Sequence, residues 1–381
     1  MSLRRQYLVL LCKQNPYALA PIMNQFIISP SLRVGFSNGV LRFGFGSPGL
    51  HIEDEQLQKA LLDSAIFFKQ PKTLDELKNF LNKKNYNSSI LAQVQEILYP
   101  TFLIPHNQYD SSDRHSRSQL FYALSGANAN AVQNTLAKSH VAVIGCGGIG
   151  NAVSVTLATA GVGKLTLFDH DDIESSNLGR QIMFTEVDCG KPKTSCLADA
   201  LRRRNRDIEI VEIREFASKE NLDNVSECDF LLVSGDQPGL IDSVNHFSLE
   251  HAIPYLNVGY VEDVAVWGPF VIPGESGCFH CQNRLVSTNG LDQNQIDKCK
   301  TINKSYQSPS YGPVNMMASS FASLDILKFL GNFGTIQSLN TRIGIWSHNL
   351  TIEKQDFSLN PNCSSCGHLQ IKEMLSCASK S

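Results

Sequence analysis

The sequence predicts an α/β protein, a doubly wound parallel sheet preceded by a small α+β domain. Three observations predict it. From His140 onward strand-like runs alternate with helical ones, and a glycine-rich turn, Gly145 to Gly150, joins the first of these strands to a helix. The first 107 residues follow another pattern, short strand-like runs and then three helical ones. With 381 residues and 42% hydrophobic content, the chain has length and apolar material for two cores.

In residues 1–107, "YLVLLC", "NQFIISP" and "SLRVGFSNGVLRFGFG" read as strands. Ser37-Asn38-Gly39 supplies the left-handed residues of a tight hairpin within the last of them. Helical patterns follow at about 53–67, 73–84 and 88–98, the second introduced by Thr73 with Glu76 three positions on, a capping box. This inventory suits a winged-helix-like module. It has no dense basic recognition helix, so a peptide laid along a strand edge is the expected ligand rather than DNA. Residues 106–120, "HNQYDSSDRHSRSQL", read as a polar linker entering a helix and carry Arg114 and Arg117.

In the second part, residues 108–381, the order is "VAVIG", a helix from about 148, "KLTLFD", a helix from about 193, "IEIVEI", "DFLLVSG", a helix from about 239, and "PYLNVGY". Ligands of such sheets sit beyond the carboxyl ends of the strands. "DVAVWGPFVI" and "TRIGIWS" flank a long helix from about Pro313 to Leu330. Arg202, Arg203 and Arg204 end a helix, where they face solvent and complement its dipole.

The balance of 33 Lys+Arg against 36 Asp+Glu, net −3, gives no bulk attraction to nucleic acid or to an anionic membrane. No apolar run approaches the roughly 20 residues of a membrane span, and the start lacks a signal-peptide pattern, so a cytoplasmic location is expected. Of eleven cysteines, seven are scattered, which suits reduced thiols. The other four form two C-x-x-C knuckles, Cys278/Cys281 and Cys363/Cys366, and read as one structural zinc site. His280 and His368 read as bystanders.

Gly145, Gly147 and Gly150 meet the G-x-G-x-x-G pattern after a strand and before a helix, where backbone N–H groups cradle a phosphate. Asp169 ends the next strand, placed to take ribose hydroxyls. Up to this point a redox dinucleotide fits. "DHDDIESSNLGRQIMF" then places Asn177, Arg180 and Gln181 in one polar stretch, and "GKPKTS" adds Lys191 and Lys193. Such a concentration of cations suits a triphosphate with a departing pyrophosphate. Asp236, after the buried run "LLVSG", is a natural Mg2+ ligand.

The ordered set "RHSRSQ", "GCGGIG", "D-H-D", "SNLGRQ", "GKPK", "SGDQP" and the paired C-x-x-C resembles the E1-like adenylating enzymes over about residues 110–370. "VIGCGGIGNAVSV", "GPFVIPGESGC", "GPVN" at 312–315 and "RIGIWS" resemble its MccB-type, peptide-modifying members. The resemblance implies a Rossmann-like adenylation domain with a peptide-clamp domain before it. It implies Gly147 and Gly148 under the phosphates, Asp169 on ribose, Asn177, Arg180, Gln181 and Lys193 on the triphosphate, and Mg2+ on Asp236. It further implies a homodimer in which Arg117 acts as an arginine finger in the partner's site. The substrate is then a ribosomally made precursor peptide, activated by ATP on a carboxyl or amide group. Side-chain activation and crosslinking, as in the pantocin enzyme PaaA, and activation of a ubiquitin-like sulfur carrier are the alternatives. Cys299 is the one nearby candidate for a covalent step, which the MccB type lacks. Cys146 and Cys189 are expected to be small packing residues.

Overall fold

A computed structural model describes residues 25–282 and 292–367. The run "YLVLLC" and His368 lie outside the described residues. The described chain divides into two compact units, one ending at Thr135 and including Gly331–Gly334, the other formed by Leu136–Leu330 and the residues from Thr335.

The first unit is α+β. β1 (Phe26–Ile28) pairs antiparallel with β5 (Leu103–Pro105), while β2 (Val34–Ser37), β3 (Val40–Phe43) and β4 (Leu50–Ile52) form a three-stranded meander. The turn between β2 and β3 has φ of 50° at Asn38 and 78° at Gly39, the pair of left-handed residues that matches strand twist. Three helices follow: α1 (Glu55–Phe67), α2 (Leu74–Lys83) and α3 (Ser88–Leu98). The capping box at α2 forms both ways, with Glu76 N donating to Thr73 Oγ1 at 3.1 Å and Thr73 N to Glu76 Oε2 at 2.8 Å. Phe26, Leu41, Phe43, Leu61, Phe68 and Leu98 share one buried core, each side chain contributing about 1.5–3 kcal/mol. α4 (Ser116–Leu124) and α5 (Ala129–Leu136) lead out of this unit. Phe333, from the returning Gly331–Gly334 segment, packs its ring on Tyr122 with centroids 4.8 Å apart.

The second unit is built on an eight-stranded sheet. It comprises β6 (His140–Ile144), β7 (Lys164–Phe168), β8 (Glu209–Ile213), β9 (Phe230–Val233), β10 (Tyr255–Val261), β11 (Val264–Val271), β12 (Thr341–Trp346) and β13 (Ile352–Asp356), in the order 13-12-11-10-9-6-7-8. From β8 to β10 neighbours are parallel, and the order reverses direction between β6 and β9. That crevice is where doubly wound sheets bind ligands. Beyond β10 the sheet is antiparallel, so it is mixed rather than wholly parallel. The reason is local, because β10 and β11 join through a hairpin between Val261 and Val264, too short for a crossover helix.

β6 and β9 run through the middle with Val141 to Ile144 and Phe230 to Val233 all buried, hence their unbroken apolar runs. The crossover helices are α6 (Gly148–Ala160), α7 (Lys193–Arg202) and α8 (Leu240–His251), followed by α9 (Gln293–Asn303) and α10 (Gly312–Gly331). At the end of α7 Arg202, Arg203 and Arg204 are exposed, Arg202 pairing with Asp199 and Glu212. Among the described residues no helix is long and apolar enough to cross a membrane.

Candidate functional site

The glycine turn is shaped by close backbone approach. Gly145 has φ of +93°, and a Cβ there would lie 2.6 Å from the backbone nitrogen of Gly235. A Cβ on Gly150 would overlap the carbonyl oxygen of Gly145, so Gly150 serves the turn from beneath. At Gly148 it would overlap the side-chain amide of Asn315. Gly147 is the N-cap of α6 and offers no side chain to its first turn, leaving those N–H groups for a ligand.

Above the turn lies a cavity of roughly 330 Å³, within the size range of small-molecule sites. It gathers Gly145, Gly147, Gly148, Asp169, Asn177, Arg180, Gln181, Lys193 and Asp236. Gly150 is not on its wall. Lys191 is not either; it is exposed and turns to Asp188 at 3.5 Å. Asp169 braces the turn, one carboxylate oxygen accepting from Cys146 N at 2.6 Å and the other from Asp171 N at 2.9 Å. Lys193, its side chain only 8% exposed, donates to Asp171 Oδ2 at 2.6 Å. Asp171 also meets His170 Nε2 at 2.8 Å, so this carboxylate holds the cation at the mouth of α7. Arg180 donates to the carbonyl of Ser176 at 2.8 Å, and Asn177 Oδ1 accepts from Glu174 N at 3.1 Å.

Two buried side chains test whether a ligand belongs here. Among the described residues Gln181 Oε1 and Asn315 Oδ1 find no hydrogen-bond partner, although the residues are 2% and 1% exposed. A buried polar atom left unpaired costs about 1–3 kcal/mol, so both fit a site completed by a polar ligand. With the glycine cradle, one buried Lys and a half-buried Arg, the residues fit a nucleotide phosphate chain. Asp236 is exposed on the wall, and it makes no hydrogen bond or ion pair among the described residues. An all-oxygen donor of this kind fits a hard divalent cation.

Asp171, Tyr260, Ser310 and Asn315 also line the cavity, and sequence reasoning gave none of them a role. Asp171 and Asn315 stood inside quoted motifs, whereas Tyr260 and Ser310 carry no local signal. Arg117 lies in the first unit, exposed on α4, and Arg114 just before it. Cys146 is fully buried, and burial, with the Asp169 carboxylate next, pushes its thiol up, as befits a packing residue. Cys189 is different. It is exposed on the loop after the 3₁₀ turn Glu186–Asp188, so the expectation of packing is corrected there. Cys299 is exposed on α9.

The two C-x-x-C knuckles meet, all four sulfurs within 4.8 Å of one another and all four residues buried. Sulfur separations are 3.7 Å for Cys278–Cys363, 3.3 Å for Cys281–Cys366 and 4.0 Å for Cys278–Cys281. Tetrahedral zinc with bonds of about 2.3 Å needs edges of roughly 3.8 Å, so the set fits. Burial pushes the Cys278 thiol up to about 12 and that of Cys366 higher still. Backbone N–H groups of Cys366 and Ser365 pull Cys363 down against its burial. His280 takes no place among the sulfurs.

Residues 116–367 match the ThiF family. The chain belongs to that family. Among curated relatives, the molybdopterin-synthase adenylyltransferase of Escherichia coli is 27% identical over 238 residues, 62% of this chain and 90% of that protein. E. coli MccB, solved with MccA-N7isoAsn, is 35% identical, with a TM-score of 0.84 over 90% of this chain and 100% of that one. The structure of E. coli MccB with ATP matches over the same shares, at 35% identity and a TM-score of 0.82. PaaA, 19% identical with a TM-score of 0.63 over 86% of this chain and 99% of that one, shares the fold. The ThiF-family chain is thus an ATP-dependent adenylyltransferase of the E1-like type.

Proposed function

We propose that this enzyme adenylates a carboxyl or amide group of a ribosomally synthesised precursor peptide, with the domain assigned to residues 1–107 as the peptide clamp. The observation that carries the reading is the likeness to MccB over 90% of the chain, a share too large to lie within the nucleotide-binding unit alone. MccB itself has been solved with ATP and with MccA.

The acceptor oxygen attacks the α-phosphorus, forming a P–O bond to AMP as the bond to pyrophosphate breaks. Lys193 and Arg180, with Arg117 from the partner of a homodimer, offset the charge that builds on the departing phosphates. The turn at Gly145, Gly147 and Gly148 holds phosphate oxygens on backbone N–H groups, and Asp169 takes the ribose. Asn177 and Gln181 fix the remaining phosphate contacts. Asp236 would hold Mg2+, which supplies a positive centre on the phosphate oxygens. Cys278, Cys281, Cys363 and Cys366 would hold zinc as a structural ion. No protein nucleophile is required.

Pyrophosphate exchange that depends on the precursor peptide tests the reading. Asp236→Ala is expected to lower that exchange about 10²-fold at fixed Mg2+. Exchange at the wild-type rate would remove Asp236 from the metal site. One further relative, the sulfur carrier protein ThiS adenylyltransferase of E. coli, favours a second reading, activation of a sulfur carrier, with Cys299 as the candidate for a covalent step. Cys299→Ala is expected to leave product formation intact under the peptide reading and to abolish it under the other. An AMP-bearing product, rather than a crosslinked peptide that has lost water, separates the MccB-like outcome from the PaaA-like one.

A further inference from the structure

The cysteine cluster and the nucleotide cavity are linked through one helix. His280 sits between the two cysteines of the first knuckle, and both of its ring nitrogens are engaged. Nε2 donates to Asp242 Oδ1 at 2.7 Å, and Nδ1 accepts from the hydroxyl of Ser365, in the second knuckle, at 2.7 Å. One ring therefore joins both knuckles to the first turn of α8. Three residues along the same face, Asn245 is fully buried, and its Oδ1 accepts from Phe279 N at 3.1 Å and from Tyr255 OH at 2.9 Å. Its Nδ2 meets His280 Nδ1 at 3.3 Å.

α8 begins where the loop carrying Asp236 ends. The start of that loop is fixed to the nucleotide turn: Ser234 N donates to Ile144 O at 2.9 Å, and Ser234 Oγ to Gly145 O at 2.9 Å. Its end is Gly239, with φ of +81°, and then Leu240. Leu240 is 3% exposed and belongs to the same core cluster as Ile144 and all four cysteines. Its Cδ2 would stand 2.7 Å from a Cβ on Gly235, so it packs directly under the loop. The Asp236 side chain has no partner of its own among the described residues, which leaves its place to these two flanks.

We propose that the cysteine cluster sets the position of Asp236, with His280 as the positioning residue that ties the knuckles to α8 through Asp242. The proposal rests on the reading of Asp236 as the residue that holds a divalent cation. His280 is not on the wall of the nucleotide cavity; it acts through the helix.

The test is amide hydrogen exchange on the full-length zinc-loaded protein, with zinc content measured in parallel. His280→Ala keeps the four thiolates, so zinc stays stoichiometric, while amides of residues 234–243 exchange about tenfold faster and those of β6 do not change. The Mn2+ concentration giving half-maximal pyrophosphate exchange rises about tenfold, with kcat at saturating metal within about twofold of wild type. Asp242→Ala, which leaves both knuckles untouched, gives the same pattern and decides the matter should His280→Ala fail to fold. Asp242→Asn, which keeps an acceptor oxygen, restores wild-type exchange. The double variant is no worse than the larger single one, the mark of residues acting through each other. Unchanged exchange at 234–243, or additive effects in the double variant, overturns the proposal. Asp236→Ala run in the same metal titration separates the two ideas. If it leaves the metal requirement unaltered, the assignment of Asp236 fails, while loop exchange in the His280 and Asp242 variants still judges the tie.

Discussion

The nucleotide cavity and the cysteine cluster occupy one unit yet are built in opposite ways. The cavity is made from backbone approach at Gly145, Gly148 and Gly150, and Gln181 Oε1 and Asn315 Oδ1 find no partner among the described residues. The cluster is made from side chains, is buried, and brings four like donors to tetrahedral spacing. A site that must release its ligand presents polar atoms for that ligand to pair. A site for a resident ion hides its donors, and depends on the ion to displace their protons.

Four perturbations would break or sharpen that contrast. The largest effect is expected at the cluster. Cys278→Ser removes one of four donors, and loss of bound zinc with a fall in Tm of more than about 10 °C should be seen by metal analysis and calorimetry. At the cavity the larger loss should be in rate. Lys193→Ala is expected to reduce peptide-dependent pyrophosphate exchange about 10²- to 10³-fold, while the half-exposed Asp171 it leaves behind limits the stability loss to about 1–2 kcal/mol in urea. His140 lies at the opposite end of β6 from Gly145, with Nε2 2.8 Å from Thr166 Oγ1. Burial, and next the charge of Lys164, hold its pKa down to about 4. Unfolded, it takes up its proton near pH 6.5, so stability is complete above that value, falls as pH drops toward 4, and then levels off. The loss, allowing for partial exposure, is about 1–2 kcal/mol, and denaturant melts at pH 7 and 4.5 should show it shrink in His140→Gln. The smallest effect is the most diagnostic. Gln181→Met should weaken ATP about tenfold by calorimetry and leave stability equal or up to about 1 kcal/mol higher, because the unpaired oxygen is gone.

Local chemistry made much of this legible. Asn38-Gly39 had to turn, Thr73 with Glu76 had to cap, and α6, α7 and α8 begin at or within a residue of 148, 193 and 239. Their signals are steric or capping rules acting over a few residues. What needed the folded chain was long-range pairing. β5 closes on β1 from some seventy-five residues away, and no residue in Leu103–Pro105 announces its partner. The antiparallel half of the sheet escaped for the same reason, since a hairpin sets direction only once its strands are known to pair. In the cavity, Asp169 and Lys193 followed from motif spacing, but the grip of Asp171 on Lys193 did not. Tyr260 and Ser310 arrive from β10 and from the approach to α10, and only the folded chain brings them beside Gly147.

The return of Gly331–Gly334 to the first unit bears on how such enzymes can be recombined. A graft that exchanges the front of one relative for that of another would normally be spliced at one junction. Here a single junction near Thr135 would leave behind Phe333, whose ring packs on Tyr122, together with the rest of that four-residue segment. Chimeras meant to redirect the enzyme to a new peptide will need to transplant both stretches, or redesign the Tyr122 surface that the second one covers.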